Sequence, residues 1–430
     1  MRACLRPGRG TIFRIRLNEA VWHPLQIGAP SLTAGFTAHQ RTKKVASPYP
    51  TIKKSRQNWI RHIYWAAYRH LLTPALAHRI FLIWWGAFKS THSNLPADLV
   101  DMLDYYFSSE ASRSASKYWH YLSRRNIKQL ERDGCANFKQ TVAKNYFYFG
   151  GNFENSYSGY VYQNLRGKAE SLDVKVDLKQ LMKKHQMLSL NESIPFNLHT
   201  MLLYFYIYEE ERGREIIKEL EEPMEGNPIF ITMDGKRLTQ DLLNSIIEYG
   251  AVEKGCDMSK VRTVLELGSG SGRTSFTFLS LNPNLKYIIS DIPPALYIAQ
   301  TYLSNVFPGR RVFKFRPFDS FQEIEAEFND SDLIFLTPDQ LQMLPDKCVD
   351  LFMAIDCLHE MKRKTVSSYF DLADRLASRF YFKCWEKTSV RFDNDSHEKE
   401  LYPVKESWDE VFNHSCEVPH GYFEALYEIT

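Results

Sequence analysis

The stretch V-R-T-V-L-E-L-G-S-G-S-G, residues 261–272, decides the fold. Its residues Val264, Leu265 and Leu267 form a short apolar run, which predicts a buried strand of a parallel sheet. Three glycines at alternate positions follow this run, and glycine lets the backbone turn sharply and approach a ligand closely. Residues 273–281 then have helical spacing. A strand, a glycine turn and a helix in this order predict the nucleotide-binding corner of a doubly wound α/β fold.

The spacing of the glycines separates two classes of nucleotide site. A dinucleotide fingerprint, G-x-G-x-x-G, would need a glycine at the position of Arg273. The sequence instead reads G-x-G-x-G, with the acid Glu266 two residues ahead of the first glycine, so an NAD(P) site is disfavoured. The candidate ligand-binding residues of this turn are Gly268, Ser269, Gly270 and Gly272.

A second strand that ends in an acid follows the first helix. Residues 286–290 read K-Y-I-I-S and lead directly into Asp291 and Ile292. A carboxylate at the end of the second strand can accept hydrogen bonds from both ribose hydroxyls, the role of an acid at this place in Rossmann folds. We therefore predict that Asp291 and the adjoining Ile292 bind the cofactor. Asp291 is also suited to cap a helix, and the two roles are compatible.

The clearest later strand ends in a group of titratable residues. Residues 349–355 are mostly apolar and lead into Asp356, His359 and Glu360, where open α/β sheets bind their ligands. A histidine with an ordinary pKa near 6.5 can take a proton from a substrate hydroxyl, and Glu360 can orient it. A lone histidine is as often structural, so both roles stay open for His359. Position 363 is Arg, which excludes an H-E-x-x-H zinc motif.

The composition excludes several classes of protein. The chain has 430 residues, which fits two domains and an extension, and its apolar content of 44% is that of a globular protein. A net charge of +3 is too small to predict a nucleic-acid binder. The seven cysteines are scattered without a C-x-x-C pair, which argues against a disulfide framework or a zinc site. We therefore expect a cytoplasmic protein without a structural metal.

The basic charge is concentrated at the start of the chain. Residues 1–60 contain eleven Lys or Arg residues, five prolines and a single acid, Glu19. This composition predicts that residues 1–57 form a poorly ordered extension. Its lack of acids resembles a transit peptide, and an extension without a role is the alternative.

Residues 58–255 are predicted to be mainly helical. The apolar run 80–88 is far shorter than the roughly twenty residues that span a bilayer, so we expect a buried helix and no stable membrane insertion. Residues 114–132 have clear helical spacing, with Trp119 on the apolar side and Gly134 suited to the C-terminal cap. The many aromatic residues of this region are expected to fill its core or to cap the ligand crevice, where they would suit sugar rings.

Several short motifs together resemble the sugar O-methyltransferase family, which belongs to the class I S-adenosylmethionine-dependent methyltransferases. The likeness covers about residues 110–430. The motifs are S-K-Y-W (116–119), N-F-K (137–139), L-E-L-G-S-G-S-G (265–272), S-D-I-P-P (290–294), L-H-E-M (358–361), F-K-C-W (382–385) and F-E-A-L-Y (423–427). Only the glycine turn and Asp291 are specific to a cofactor. Asp356 and Cys357 depart from the pattern, because small residues are expected at their positions.

The resemblance implies a fold, a cofactor and several roles. The fold is α/β, with a Rossmann-like class I methyltransferase domain over residues 256–430 preceded by the mainly helical region. S-adenosyl-L-methionine would be the cofactor, with its methionine part over the glycine turn and its amino group oriented by Glu266. A polar residue just after the third strand commonly faces the adenine in this family. Both 311–316 and 332–337 look like strands, and the second favours Asp339 or Gln340, with Asp319 as the competitor.

We therefore expect an enzyme that transfers a methyl group from S-adenosylmethionine to a hydroxyl of a sugar, nucleotide sugar or glycan. His359 would take the proton, with Asp356 and Glu360 as the next candidates. One alternative is an NAD(P)-dependent oxidoreductase, which Arg273 disfavours. The other is a non-catalytic adaptor that binds a glycan or a protein, which the retained cofactor motif disfavours.

Overall fold

The computed structural model describes residues 13–14, 73–91, 94–142, 175–176, 178–185, 190–390 and 392–430. The predicted basic extension therefore lies outside the described residues, apart from strand β1 (Phe13–Arg14). Within the described residues, the first half of the chain is mainly helical and the second half forms one large sheet. This is the α/β arrangement that the sequence predicts.

The helical half contains eight helices among the described residues. They are α1 (Pro74–Thr91), α2 (Ala97–Ser108), α3 (Glu110–Ser114), α4 (Lys117–Asp133), α5 (Leu178–Leu181), α6 (Leu190–Tyr208), α7 (Glu211–Glu219) and α8 (Gln240–Gly255). Two short antiparallel pairs accompany them: β1 with β2 (Lys175–Val176), and β3 (Ile231–Met233) with β4 (Lys236–Leu238).

Helix α4 shows how the sequence sets these bounds. The Ser116 hydroxyl accepts a hydrogen bond from the backbone N–H of Trp119, which satisfies one of the unpaired donors of the first turn. At the other end Gly134 adopts a φ of 67°, where a side chain would be strained. The predicted helix over residues 114–132 is confirmed to within a few residues.

Helix α1 is only half buried, so the expectation of a buried helix over residues 80–88 is wrong for one of its faces. Phe81 and Trp85 pack into the core, whereas Ile80 and Ile83 are exposed, Ile83 with 74% of its surface accessible. The apolar run is continuous in sequence. Because an α-helix has 3.6 residues per turn, only one stripe of its side chains can be buried against a single neighbour. No helix among the described residues is long and apolar enough to cross a membrane.

The second half of the chain alternates strands with helices. The strands are β5 (Thr263–Leu267), β6 (Lys286–Ser290), β7 (Val312–Phe313), β8 (Leu333–Leu336), β9 (Leu351–Ile355), β10 (Arg379–Trp385), β11 (Lys387–Ser389), β12 (Ser396–Glu398), β13 (Trp408–Ser415) and β14 (Tyr422–Ile429). The helices are α9 (Arg273–Leu281), α10 (Ala295–Val306), α11 (Glu325–Asp330) and α12 (Arg363–Leu376).

Eight of these strands form one sheet in the order β13-β14-β10-β9-β5-β6-β8-β7. The six strands from β10 to β7 are parallel, while β14 and β13 add antiparallel strands at one edge. Both faces are covered, since Val264 of β5 packs into one hydrophobic core and Leu265 and Leu267 into the other. Continuous apolar strands are typical of a sheet buried on both faces.

Strand β5 lies where the direction of strand addition reverses. The chain continues from β5 to β6 on one side and returns to place β9 on the other side. Open α/β sheets bind ligands at the carboxyl ends of the strands at such a reversal. Of the two candidate third strands, β8 lies beside β6 and β7 forms the sheet edge.

Candidate active site

A cavity of about 290 Å³ lies at the carboxyl ends of the parallel strands. Its lining includes the glycine turn after β5, Asp291 after β6, Pro338 after β8 and the turn after β9. The helical half contributes Tyr106, Ser116 and Trp119. The cavity is therefore formed jointly by the edge of the sheet and by helices α2 to α4.

The first side of the cavity, which we call the turn wall, consists of Gly268, Gly270, Asp291 and Ile292. Gly268 has a φ of 72°, and a Cβ there would lie 2.4 Å from the Cβ of Cys357. Only glycine therefore fits where the ends of β5 and β9 approach each other. Gly272 caps α9 at a φ of 84° and lies behind the wall, where a Cβ would touch Leu303.

Asp291 connects the turn to the second strand. Its Oδ2 accepts a hydrogen bond of 2.6 Å from the Gly270 N–H, and its Oδ1 accepts one of 2.6 Å from the Ile292 N–H. Burial raises the pKa of Asp291 to about 7, although both N–H groups favour the ionised form. Each carboxylate oxygen can accept a second hydrogen bond. Asp291 can therefore fix the turn and still bind hydroxyls of a ligand in the cavity.

Glu266 faces away from the cavity, which differs from its expected contact with a cofactor. Its Oε2 accepts hydrogen bonds from the hydroxyls of Ser275 at 2.6 Å and Tyr287 at 2.9 Å. Successive side chains of a strand point to opposite faces, so Leu267 lines the cavity and Glu266 contacts α9 and β6 instead. Burial raises the pKa of Glu266 to about 7. Its direct role here is to join these three elements.

The residues predicted to face an adenine also lie outside the cavity lining. Gln340 is fully buried, and its Oε1 accepts from the Thr337 N–H at 3.0 Å while its Nε2 donates to the Arg316 carbonyl at 2.8 Å. Asp339 accepts a hydrogen bond of 2.9 Å from the Ala111 N–H through Oδ1, which joins α3 to the end of β8. These side chains hold the loop, and the neighbouring Pro338 lines the cavity.

Two further predicted or competing residues have other surroundings. Asp319 is exposed, and its backbone N–H donates to the Glu323 carboxylate. Ser269 is buried, and its Oγ has no hydrogen-bond partner within the described residues. Neither side chain lines the cavity.

His359 lines the cavity in a 3-10 turn, Leu358–Glu360, that follows β9. Its ring meets the rings of Trp385 and Tyr422 nearly edge-on, with centroid distances of 6.4 and 6.1 Å. Burial, and secondarily the charge of His397, lowers the pKa of His359 to about 3. The near-neutral pKa on which its predicted role depends is therefore absent, because residues much later in the chain bury the ring. Glu360 of the same turn is half-buried and also lines the cavity.

Asp356 lines the cavity directly after β9 and has an unusual backbone conformation. Its φ is 57°, in the left-handed region that few residues other than Gly, Asn and Asp adopt. Burial raises the pKa of its carboxyl group to about 6, although Lys383 and Arg273 lower it. Oδ2 lies 3.6 Å from a guanidinium nitrogen of Arg273, and the buried Oδ1 has no hydrogen-bond partner among the described residues.

A buried network of charges lies behind Asp356. Arg273 donates to both carboxylate oxygens of Glu248, at 2.6 and 3.0 Å, and Lys383 lies 3.4 Å from one of them. Burial opposes the charge on Glu248, but Arg273 and Lys383 lower its pKa below the ordinary value. From the sequence alone, Arg273 served only to exclude a dinucleotide-binding motif. The missed signal is a cation in the first turn of a helix whose other residues are mostly apolar or small and uncharged.

A second part of the cavity lining, which we call the aromatic wall, consists of Trp119, Trp385 and Tyr422. Trp385 ends β10 and Tyr422 begins β14, and their ring centroids are 4.7 Å apart. Lys362 lies beside this wall and donates to the Ser114 carbonyl at 3.1 Å. Sequence reasoning gave none of these residues an individual role, although S-K-Y-W and F-K-C-W both end in a tryptophan of the wall.

No group of three or more His, Cys, Asp or Glu side chains among the described residues could hold a metal ion.

Comparisons with known proteins give only distant similarities. No family model and no curated protein matches the sequence. An S-adenosylmethionine-dependent methyltransferase from Aquifex aeolicus is 13% identical over 42% of this chain and 89% of its own, with a TM-score of 0.28. The mitomycin 7-O-methyltransferase MmcR is 10% identical over 88% of this chain and 99% of its own, with a TM-score of 0.31. These similarities are too distant to assign an activity to this chain.

Proposed function

We propose that this protein is an S-adenosylmethionine-dependent O-methyltransferase whose acceptor is a hydroxyl of a sugar, nucleotide sugar or glycan. The observation that carries this proposal is the turn wall. Asp291 is a buried carboxylate that fixes the glycine turn through Gly270 and faces the cavity at the ends of two adjacent parallel strands. An acid in this place suits a ribose, and a bare backbone turn suits close approach of a ligand.

The residues of the turn wall fit the proposed cofactor. A Cβ at Gly268 would collide with Cys357, and Gly270 exposes backbone to the cavity, so no side chain obstructs a ligand there. Asp291 would hold the ribose hydroxyls, and Gly268, Gly270 and Ile292 would line the remainder of the cofactor site. When bound, S-adenosylmethionine supplies a methyl group on a positively charged sulfur. Glu266 supports the turn from behind through Ser275 rather than by contact.

The aromatic wall supports a sugar as the acceptor. Flat rings stack on the C–H faces of sugars, and Trp119, Trp385 and Tyr422 supply aromatic rings to the cavity lining. Glu360 and Lys362 add charged groups to the same side of the cavity. The acceptor hydroxyl loses a proton during methyl transfer, and Asp356, His359 and Glu360 are the candidates in the cavity lining.

Calorimetry on the full chain tests the cofactor. We expect S-adenosylmethionine and S-adenosylhomocysteine to bind and NAD not to bind. Binding of NAD without a response to S-adenosylhomocysteine would indicate an oxidoreductase. Binding of an oligosaccharide, with no binding of S-adenosylmethionine, S-adenosylhomocysteine or NAD, would indicate an adaptor.

Transfer of a tritiated methyl group tests the acceptor. The probes are free hexoses, nucleoside diphosphate hexoses and catechol. We expect product from the sugars. Product from catechol alone would contradict a sugar acceptor while leaving the methyl transfer itself intact.

A further inference from the structure

On the basis of the methyl transfer proposed above, we propose that Asp356 is the catalytic base and that Arg273, Glu248 and Lys383 are the positioning residues that hold it. Asp356 lies at the cavity wall, and its Oδ1 is buried without a hydrogen-bond partner in the described part of the chain. A buried acceptor atom without a partner is costly in a folded protein and calls for an explanation. The proton of a bound hydroxyl would supply the missing partner.

The backbone at Asp356 supports a functional role. A φ of 57° lies in the left-handed region, which Asp adopts at lower cost than most residues, and uncommon conformations concentrate at functional sites. Asp356 lines both the main cavity and a smaller pocket of about 10 Å³. Lys383, Glu248 and His199 also line this smaller pocket. Arg273 lies 3.6 Å from Oδ2 of Asp356 and the Tyr422 side chain also hydrogen-bonds to the carboxyl group, while Oδ1 has no hydrogen-bond partner among the described residues.

Charged and titratable groups surround Asp356 on every side. Lys383 of β10 and Arg273 of α9 stabilise its ionised form, and Glu248 of α8 opposes it. The other titratable groups around it are Tyr422, Cys384, Cys416, Cys357, His199, His359 and Glu360. Two cations therefore face two carboxylates, and Asp356 can gain or lose a proton while Glu248 stays ionised.

The proposed step balances without a further reactant. The acceptor oxygen forms a bond to the methyl carbon as the sulfur–carbon bond breaks, and that bond's electron pair stays on the sulfur. The hydroxyl proton moves to Oδ1 of Asp356, which becomes a neutral carboxylic acid. The positive charge of the sulfonium and the negative charge of the carboxylate thus disappear together.

His359 is the less suitable base, although it lines the same cavity. Its Nδ1 is also buried without a hydrogen-bond partner among the described residues, but its ring packs edge-on against Trp385 and Tyr422, and burial lowers its pKa to about 3, so it binds a proton weakly. Asp356 titrates much closer to the pH at which enzymes work, which favours proton transfer in both directions. We assign His359 to the packing of the aromatic wall.

The first test needs no acceptor and uses calorimetry with S-adenosylhomocysteine near pH 6, in buffers of different ionisation enthalpy. A ligand that displaces water from the cavity further desolvates Asp356, so part of a proton is taken up on binding. We expect the same net proton exchange in the wild type, in His359→Asn and in Glu360→Gln. Asp291 also titrates in this cavity, so the contribution of Asp356 is the difference between the wild type and Asp356→Asn, which should take up fewer protons. Asparagine suits the left-handed backbone, so this variant keeps the fold. Equal uptake by Asp356→Asn and the wild type would overturn the assignment. Absence of S-adenosylhomocysteine binding by the wild type would instead contradict the proposed function.

The second test is the rate of tritiated methyl transfer to the hexose and nucleotide-sugar probes. Loss of a general base commonly lowers the rate about 10²–10⁴-fold, which we expect for Asp356→Asn. Glycine fits the backbone conformation and leaves space, so added formate should restore part of the rate of Asp356→Gly. The matched control Asp346→Asn changes an exposed carboxylate away from the cavity and should keep the wild-type rate. A rate for Asp356→Asn within a few-fold of the wild type would overturn the proposal.

The pH profile tests the positioning residues. Glu248 raises the pKa of Asp356, so Glu248→Gln should move the acid limb of the transfer rate to lower pH. A purely structural role would reduce the amount of folded enzyme and leave the limb in place, which thermal unfolding of the same variant would reveal.

Discussion

The two walls of the cavity are built in different ways. The turn wall comes from one short segment, residues 268–292, and presents mainly backbone and one carboxylate. The aromatic wall brings together Trp119, Trp385 and Tyr422, which are far apart in the sequence, and presents side chains. Local sequence therefore determines the first wall, whereas the fold of the whole chain determines the second. The first should be sensitive to changes of backbone geometry and the second to changes of side-chain shape.

The largest effect on stability is expected in the buried charge network, where Arg273 follows the glycine turn and Lys383 precedes Trp385 of the aromatic wall. Glu248→Ala leaves Arg273 and Lys383 buried without their shared anion, and breaking a buried ion pair costs about 3–5 kcal/mol. Urea unfolding measures this loss. The matched control is Glu253→Ala on the same helix, because Glu253 pairs with the exposed Arg212 and such pairs contribute about 0–1 kcal/mol. Equal losses in the two variants would show that the network does not connect the walls.

The turn wall is tested by Asp291→Ala. This change removes the acceptor of the Gly270 and Ile292 N–H groups and the proposed partner of the ribose hydroxyls. Loss of charged hydrogen bonds should weaken binding of S-adenosylhomocysteine by about 1.5–3 kcal/mol, roughly 10- to 150-fold. Calorimetry measures the affinity, and Asp319→Ala, an exposed acid that does not line the cavity, is the control. Unchanged affinity would remove Asp291 from the site.

Asp291 of the turn wall and His359, which packs against the aromatic wall, should change stability with pH in opposite directions. Burial raises the pKa of Asp291 from 3.8 to about 7, so the native state binds more protons between these values and stability falls as pH rises. Burial lowers the pKa of His359 from 6.5 to about 3, so the unfolded state binds more protons and stability rises with pH in that window.

Chemical unfolding at pH 5 and pH 7 measures this contrast. Relative to the wild type, we expect Asp291→Asn to gain about 1–2 kcal/mol from pH 5 to pH 7 and His359→Asn to lose a similar amount. The same sign for both variants would show that the two groups do not have opposite environments.

The aromatic wall gives the smallest expected effect. Trp119→Leu removes a ring from the proposed sugar site, and an aromatic contact contributes about 0.5–1.5 kcal/mol beyond its buried area. The KM for a probe sugar that the enzyme methylates should therefore rise about 2- to 10-fold, while the affinity for S-adenosylhomocysteine stays unchanged. Trp84→Leu is the control, since Trp84 lies on α1 against Arg124 and does not line the cavity. Equal effects of the two changes would contradict a sugar-binding role for Trp119.

The same contrast explains which features could be predicted from the sequence. Strand β5, the glycine turn and the position of Asp291 depend on neighbouring residues, and the structure has them as predicted. The predicted neighbours of an adenine were placed by their distance from a strand, but the Gln340 amide bonds to Thr337 of its own loop and to Arg316, which follows β7. The low pKa of His359 depends on burial that includes Trp385 at the end of β10 and Tyr422 at the start of β14, both later in the chain. Local patterns do not contain such distant contacts.

The Glu248–Arg273 pair also bears on how this chain can be divided. Glu248 precedes the first strand of the large sheet, whereas both of its cationic partners lie within the Rossmann-like half. A fragment that begins at Val261 would enclose Arg273 and Lys383 without the carboxylate that neutralises them. We therefore expect that a fragment cut at the predicted boundary, residue 256, does not fold independently. Limited proteolysis at that boundary should release products that unfold, and the intact chain should melt across it in a single cooperative step.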